Sequence, residues 1–302
     1  MSRTILSRYL DPATLSRVAK RHVEPRGLVM GNLAGAHKSP MAGFAVEFAG
    51  HREYVPGDEP RHIDWRLYFT RDRYFIKQYE METNFVCHLI LDISASMRYG
   101  DADQQKLSYA ASMAATLGFS IAQQNDKVSL ATFDDCVRGF IPPSNSMAQM
   151  IRMSSLLDEA DPVDKTNMAV CLNELAGRMQ RREIVMIFSD FFTDLDDLEP
   201  ALQLLRFNQH EVVLFQVMHH DEVAFEFDGM VRFDGLEDPD QYLTQPDDIR
   251  QGYLDAVAEF RAKLADICQR NRIEHVEVDT SRDIAEVLID YLNHRSLLNR
   301  GR

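Results

Sequence analysis

Cysteine is scarce and scattered: Cys87, Cys136, Cys171 and Cys268 form no CxxC pair. In a chain of 302 residues this excludes a disulfide framework and the paired ligands of a zinc site, leaving reduced, mostly buried thiols. Positive charge is also short. There are 33 Lys and Arg against 47 Asp and Glu, a net charge of −14, which works against broad attraction to nucleic acid or an anionic membrane surface. Long apolar runs are missing, and no stretch approaches the roughly 20 uninterrupted apolar residues of a membrane span. The first ten residues carry Arg3 and Arg8 and no apolar core, so they do not read as a secretion signal. The expectation is a cytoplasmic protein with no nucleic-acid partner and no membrane span. Two catalytic motifs are absent as well. Without Gly-x-x-x-x-Gly-Lys-Ser/Thr, any ATP hydrolysis must come from another chain, and without Gly-x-Ser-x-Gly a serine hydrolase is disfavoured.

What is present is a rhythm of alternating strands and helices. Asp11-Pro12 reads as a cap and first residue of a short amphipathic helix, whereas 27–50, rich in glycine and small residues, reads as loops and turns. Tyr74–Lys77 reads as an edge strand. Phe85–Leu91 is a near-continuous apolar run, the pattern of a strand covered on both faces. Further strands are expected at 128–133, 137–141 (an antiparallel edge), 184–188, 212–218 and 275–279. Helices are expected near 104–123, 146–158, 167–181, 247–271 and 283–295, and a β-hairpin insertion at about 223–245. This alternation predicts an α/β, Rossmann-like fold, with a mostly parallel central sheet flanked by helices on both faces. An N-terminal extension, 1–80, would pack on a core domain, 81–302.

In open α/β sheets ligands bind beyond the carboxyl ends of the strands. Two such ends are unusually polar here: Asp92-Ile93-Ser94-Ala95-Ser96 and Ser189-Asp190-Phe191-Phe192. Between them Asp164-Lys165-Thr166-Asn167 leads into a helix. Carboxylates and hydroxyls on loops at one sheet edge are the hard donors that Mg²⁺ or Mn²⁺ prefers. Histidines such as His88 and the pair His219-His220 show no convergent spacing, so they read as structural or solvent-facing.

The DxSxS run, a threonine opening a helix and an aspartate ending a later buried strand together resemble the metal-ion-dependent adhesion site of von Willebrand factor A (vWA) domains. The resemblance implies that Asp92, Ser94, Ser96, Thr166 and Asp190 hold the ion. It also implies that an acidic side chain of a protein partner completes the ion's shell. A closer likeness covers nearly the whole chain. Glu47 to Trp65, with Arg52, Pro56-Gly57-Asp58, Arg61 and Ile63-Asp64-Trp65, is similar to the segment preceding the vWA core in the family called domain of unknown function fifty-eight. Tyr291-Leu292-Asn293-His294-Arg295 fits the same family. Its members are commonly encoded beside MoxR-type AAA+ ATPases, so the resemblance implies an adaptor for such an ATPase, in the short soluble form. Lys165-Thr166-Asn167 departs from the usual Gly-x-Thr-Asp and puts a positive charge near the ion.

Arg52, Asp58, Arg61 and Asp64 have two readings, a salt-bridged collar or a docking surface for the ATPase. For the whole chain the expectation is a non-enzymatic, metal-dependent interaction module. One alternative is a Mg²⁺-dependent phosphatase or phosphotransferase using Asp92. Such enzymes need a carboxylate two residues later, where this chain has Ser94. The other alternative is a structural vWA domain whose ion site stays empty.

Overall fold

The computed structural model describes residues 8–26, 34–38, 47–56, 58, 60–80, 82–159, 167–234 and 241–300. Contacts divide the chain into two compact units: 27–85, and 1–26 together with 86–302. Residues 1–26, assigned above to the extension, thus group with the core. There α1 (Pro12–Val18) starts at Asp11, whose carboxylate accepts from Thr14 N, and Pro12 sits at the first turn, where no amide donor is needed.

In the smaller unit β1 (Ala34–Lys38) pairs with β4 (Glu82–Thr83), and β2 (Glu47–Glu53) pairs with β3 (Phe75–Glu80), both antiparallel. Strands within 27–50 correct the expectation of loops there. Composition favoured turns, but backbone partners distant in sequence supply the ladder that local residues do not announce. Between β2 and β3, α2 (Trp65–Arg71) begins at Asp64, whose side chain accepts from Arg66 N and Leu67 N. It ends at Asp72, in the left-handed region at φ 52°.

The larger unit is built on one six-stranded sheet. Its strands are β5 (Val86–Asp92), β6 (Lys127–Phe133), β7 (Val137–Ser144), β8 (Ile184–Ser189), β9 (Glu211–Met218) and β12 (Glu274–Asp279). They lie in the order β12-β9-β8-β5-β6-β7, all parallel except β7. The separate hairpin β10 (Val231–Asp234) and β11 (Gln241–Thr244) forms the expected insertion. The helices of this unit, after α1, are α3 (Lys106–Gln123), α4 (Met147–Asp158), α5 (Met168–Ala176), α6 (Leu195–Phe207), α7 (His220–Ala224), α8 (Pro246–Arg270) and α9 (Ile284–Arg300). The expected α/β architecture, with a mostly parallel sheet covered on both faces, is what the structure shows.

Strand alternation explains the two layers. Ile90, Val185, Ile187, Val212 and Leu214 face a buried cluster with Cys171 and Leu172 of α5, Leu198 and Leu202 of α6, and Leu264 and Ile267 of α8. On the other face α3 lies on β5 and β6, and Phe215 meets the Tyr291 ring of α9 edge-on at 5.0 Å. Each such aliphatic or aromatic side chain, fully buried, contributes about 1.5–3 kcal/mol. Helix α6 was not legible in the sequence, because Pro200 stands inside it and interrupts its hydrogen-bond ladder. Asp194, accepting from Asp196 N, and the buried Leu198, Ala201, Leu202 and Leu205 hold the helix regardless.

Buried Arg295 of α9 ties the amino-terminal edge together. Its Nε donates to the Glu24 carbonyl at 2.7 Å, and its guanidinium pairs with Glu211 at 2.6 Å and Glu274 at 3.1 Å. One side chain therefore links the segment after α1 to β9, β12 and α9. A guanidinium out of water is tolerated only with such partners.

Candidate functional site

In strand order, β5 is followed outward by β6 and β7 on one side, and by β8, β9 and β12 on the other. The direction of winding reverses between β5 and β8, which is where open α/β sheets form a ligand crevice. Asp92 ends β5, and Asp190 follows Ser189 at the end of β8. Both carboxylates are buried, each 1% exposed.

Asp92 is gripped from both sides. Ser189 Oγ donates to its Oδ2 at 2.6 Å and the Ser94 amide donates to its Oδ1 at 2.8 Å. Burial first, and the neighbouring Asp190 charge second, push the Asp92 carboxyl up to about 7, against the lowering effect of those two donors. Ser94 is fully buried and Ser96 half-buried, with their Oγ atoms 3.1 Å apart. Beyond β8 the chain passes through Phe191 in the left-handed region at φ 60°. This segment is held by the Phe191 amide donating to Ser189 Oγ (2.8 Å) and the Phe192 amide donating to Asp190 Oδ1 (3.0 Å). A bulky residue at positive φ is a local cost that the buried Phe191 ring offsets.

These residues fit a hard dication. The donors are carboxylate and hydroxyl oxygens, and a cation would relieve the penalty on Asp92. Adjacent ligands of an octahedral Mg²⁺ at about 2.1 Å stand about 3 Å apart, the spacing of the two serine oxygens. Of the expected ligands the structure brings Asp92, Ser94, Ser96 and Asp190 to one edge. Thr166 and Lys165 lie outside the described residues. The adjoining Asn167 donates its amide to the Asp134 carbonyl (3.0 Å), just beyond β6 at the same edge, and caps α5.

Two charged residues went unrecognised in the sequence. Lys106 opens α3, fully buried, with Nζ 2.8 Å from Asp190 Oδ2 and 2.8 Å from Glu222 Oε1. Burial would lower its pKa, but Asp190 and Glu222 outweigh that and raise it. The one available signal was a lysine in the first turn of an otherwise apolar helix, the wrong sign for the helix dipole. Glu222 belongs to the short helix α7, immediately before the expected insertion at 223–245. It forms a capping box with His219: Glu222 Oε2 accepts from the His219 amide at 2.8 Å. Gly100, at φ +97°, lets its loop approach the His219 ring, since a Cβ there would lie 2.6 Å from Cδ2. Tyr99 meets the same ring edge-on at 5.1 Å. Asp134, Asp135 and Cys136, after β6, form a second oxygen-sulfur group, but Arg138 Nε holds Asp134 at 2.7 Å.

In the smaller unit Arg52 makes a two-pronged pair with Asp58, both contacts 2.8 Å, and Asp58 also accepts from Val55 N. Asp64 caps α2 and lies 2.9 Å from His51 Nε2, while Arg61 is exposed. Three of the four residues considered for docking thus hold their own turn.

The larger unit is an open α/β domain with buried carboxylates and hydroxyls gathered at its switch point. The family model described as "Protein of unknown function DUF58" matches residues 50–263, and the chain belongs to that family. Uncharacterized proteins of Mycobacterium tuberculosis and Mycobacterium bovis are 22% identical over 292 residues, spanning 94% of this chain and 90% of theirs. Among solved structures, the conserved hypothetical protein BatB from Bacteroides thetaiotaomicron is similar with a TM-score of 0.47 and 14% identity, over 72% of this chain and 100% of that one. The SpRpn10 VWA domain gives a TM-score of 0.38 and 12% identity, over 69% of this chain and 95% of its own. Among the described residues no helix is long and apolar enough to cross a membrane.

Proposed function

We propose that this protein is a non-enzymatic interaction module whose bound Mg²⁺ or Mn²⁺ receives an acidic side chain from a protein partner. The observation that carries the reading is the pair of buried carboxylates, Asp92 and Asp190, beside the Ser94 and Ser96 hydroxyls at the switch point. Asp92, Ser94, Ser96, Thr166 and Asp190 would hold the ion, which supplies Lewis acidity for gripping a carboxylate. Ser94, where a phosphotransferase would place its acid, supports binding over catalysis. In this reading the partner is a MoxR-type AAA+ ATPase, for which the chain acts as an adaptor in protein assembly or maturation. Arg61 and the exposed aromatic residues Trp65 (53%) and Phe69 (83%) of the smaller unit have the composition of an interface anchor for it.

The test is capture of a purified MoxR-type ATPase on the immobilised full chain, with Mg²⁺ and again with chelator. Capture should require the ion and fall at least about tenfold for Asp92→Ala, as expected when a charge-assisted contact is lost. Equal capture in chelator would remove the ion from the mechanism.

A further inference from the structure

The ion site contains a buried ammonium that the binding reading does not use. Lys106 Nζ sits 2.8 Å from Asp190 Oδ2 and 2.8 Å from Glu222 Oε1, with its side chain 1% exposed. The Phe192 ring lies 5.4 Å from the same nitrogen. We propose that Lys106 is a built-in competitor of the divalent ion, holding Asp190 in the ion's absence and setting how tightly the site binds Mg²⁺ or Mn²⁺. This rests on the ion-site reading above.

Three observations carry it. Asp190 has one oxygen taken by the Phe192 amide and the other by Lys106, so an ion recruiting Asp190 must share it with the lysine or displace it. Glu222 gives the ammonium a second anchor, so Lys106 can release Asp190 without becoming an uncompensated buried charge, a costly state. The charges also match. Among the described residues, Asp92, Asp190 and Glu222 against Lys106 leave a net of two negative charges when all are ionised, the complement of one divalent ion. A partner's acid then meets a neutral loaded site. Without Lys106 the loaded site would remain negative and repel that acid.

Calorimetric titration of Mg²⁺ and Mn²⁺ into the full chain tests this with wild type, Lys106→Met and the double variant Lys106→Met/Glu222→Gln. Circular dichroism in chelator checks each fold first. The double variant keeps the net charge of the crevice while removing the ammonium beside Asp190, and it strands no carboxylate at position 222. It therefore carries the comparison if the single variant does not fold. The double variant should bind the ion roughly tenfold more tightly than wild type, because a positive charge at contact distance opposes ion binding strongly even at the moderate dielectric of a protein. Its melting temperature should also rise further on adding ion. Binding by the double variant alone would equally support the proposal, with the lysine excluding the ion in wild type. Equal affinity of wild type and double variant would overturn the competition and leave the ion site standing. An absence of heat in every protein would overturn both.

Discussion

Asp92 concentrates the energetic conflict of the molecule in one side chain. It is buried beside Asp190, and its carboxyl is pushed up to about 7, so its ionised form is held at a cost. The cost is accepted because the Ser94 amide and Ser189 hydroxyl point at it, and because an ion would draw on the same charge. Asp92→Asn removes the charge and keeps the contacts: Oδ1 still accepts from Ser94 N, and Nδ2 can donate to Ser189 Oγ. In chelator at pH 8 this variant should be more stable than wild type by on the order of 1 kcal/mol or more in urea unfolding, since the penalty on the ionised form is lifted. Any stabilisation by Mg²⁺ should disappear. A less stable apo variant would mean that the hydrogen bonds outweigh the repulsion.

Among the elements, α3 does most to place the crevice, because it begins at Lys106 and lies on β5 and β6, the strands that end beside the site. Its close approach depends on Gly118. A Cβ there would lie 2.9 Å from Met153 Cε of α4 and 3.2 Å from Leu89 Cδ1 of β5. Gly118→Val should therefore force α3 off the sheet and destabilise the fold by about 1–3 kcal/mol, read as a lower midpoint with unchanged slope in denaturant. The same displacement would move Lys106 against Asp190, so the ion response of this variant should change as well. The α6 helix illustrates the converse. Its Pro200 spoils the local signal, yet the N-cap Asp194 and the buried face against the sheet keep it formed.

For the molecule as a whole, a second group of buried titratable side chains lies at the opposite edge of the sheet from Asp92 and Asp190. His88 Nε2 lies 2.9 Å from Glu183 Oε2, and the Glu183 amide donates to His210 Nδ1 at 3.3 Å, all three residues being buried. Burial lowers the His210 pKa below 6.5, with the Glu183 charge opposing and His88 adding to the effect. A base whose folded pKa is depressed takes up its proton first in the unfolded chain. Stability is therefore lost as pH falls below about 6.5. Asp92, with its raised carboxyl, works in the opposite sense over the same range, so the His210 contribution is isolated by comparison. His210→Asn keeps an acceptor for the Glu183 amide and cannot be protonated. It should lose less unfolding free energy than wild type between pH 7.5 and 5.5 in chelator, measured by urea titration. Parallel losses would show that His210 takes up its proton equally in the folded and unfolded states, and would overturn the depressed pKa.

Much was settled by local sequence. The apolar runs at β5, β8 and β9 could only be strands buried on both faces, and their alternation with helices left a mostly parallel sheet as the way to cover them. Because parallel strands present their carboxyl ends together, Asp92-Ile93-Ser94-Ala95-Ser96 and Ser189-Asp190 were bound for one edge. The strands within 27–50 and the helices α2, α6 and α7 were not legible, since they depend on distant partners, on caps, or on packing that overrides a proline. The charge balance of the crevice was not legible either. Lys106 and Glu222 stand 84 and 32 residues from Asp190 along the chain, and nothing in their surroundings marks them as belonging together. Only the winding of α3 and α7 around the switch point brings the ammonium to both carboxylates, for charge pairing follows distance in space and spacing in sequence carries no record of it.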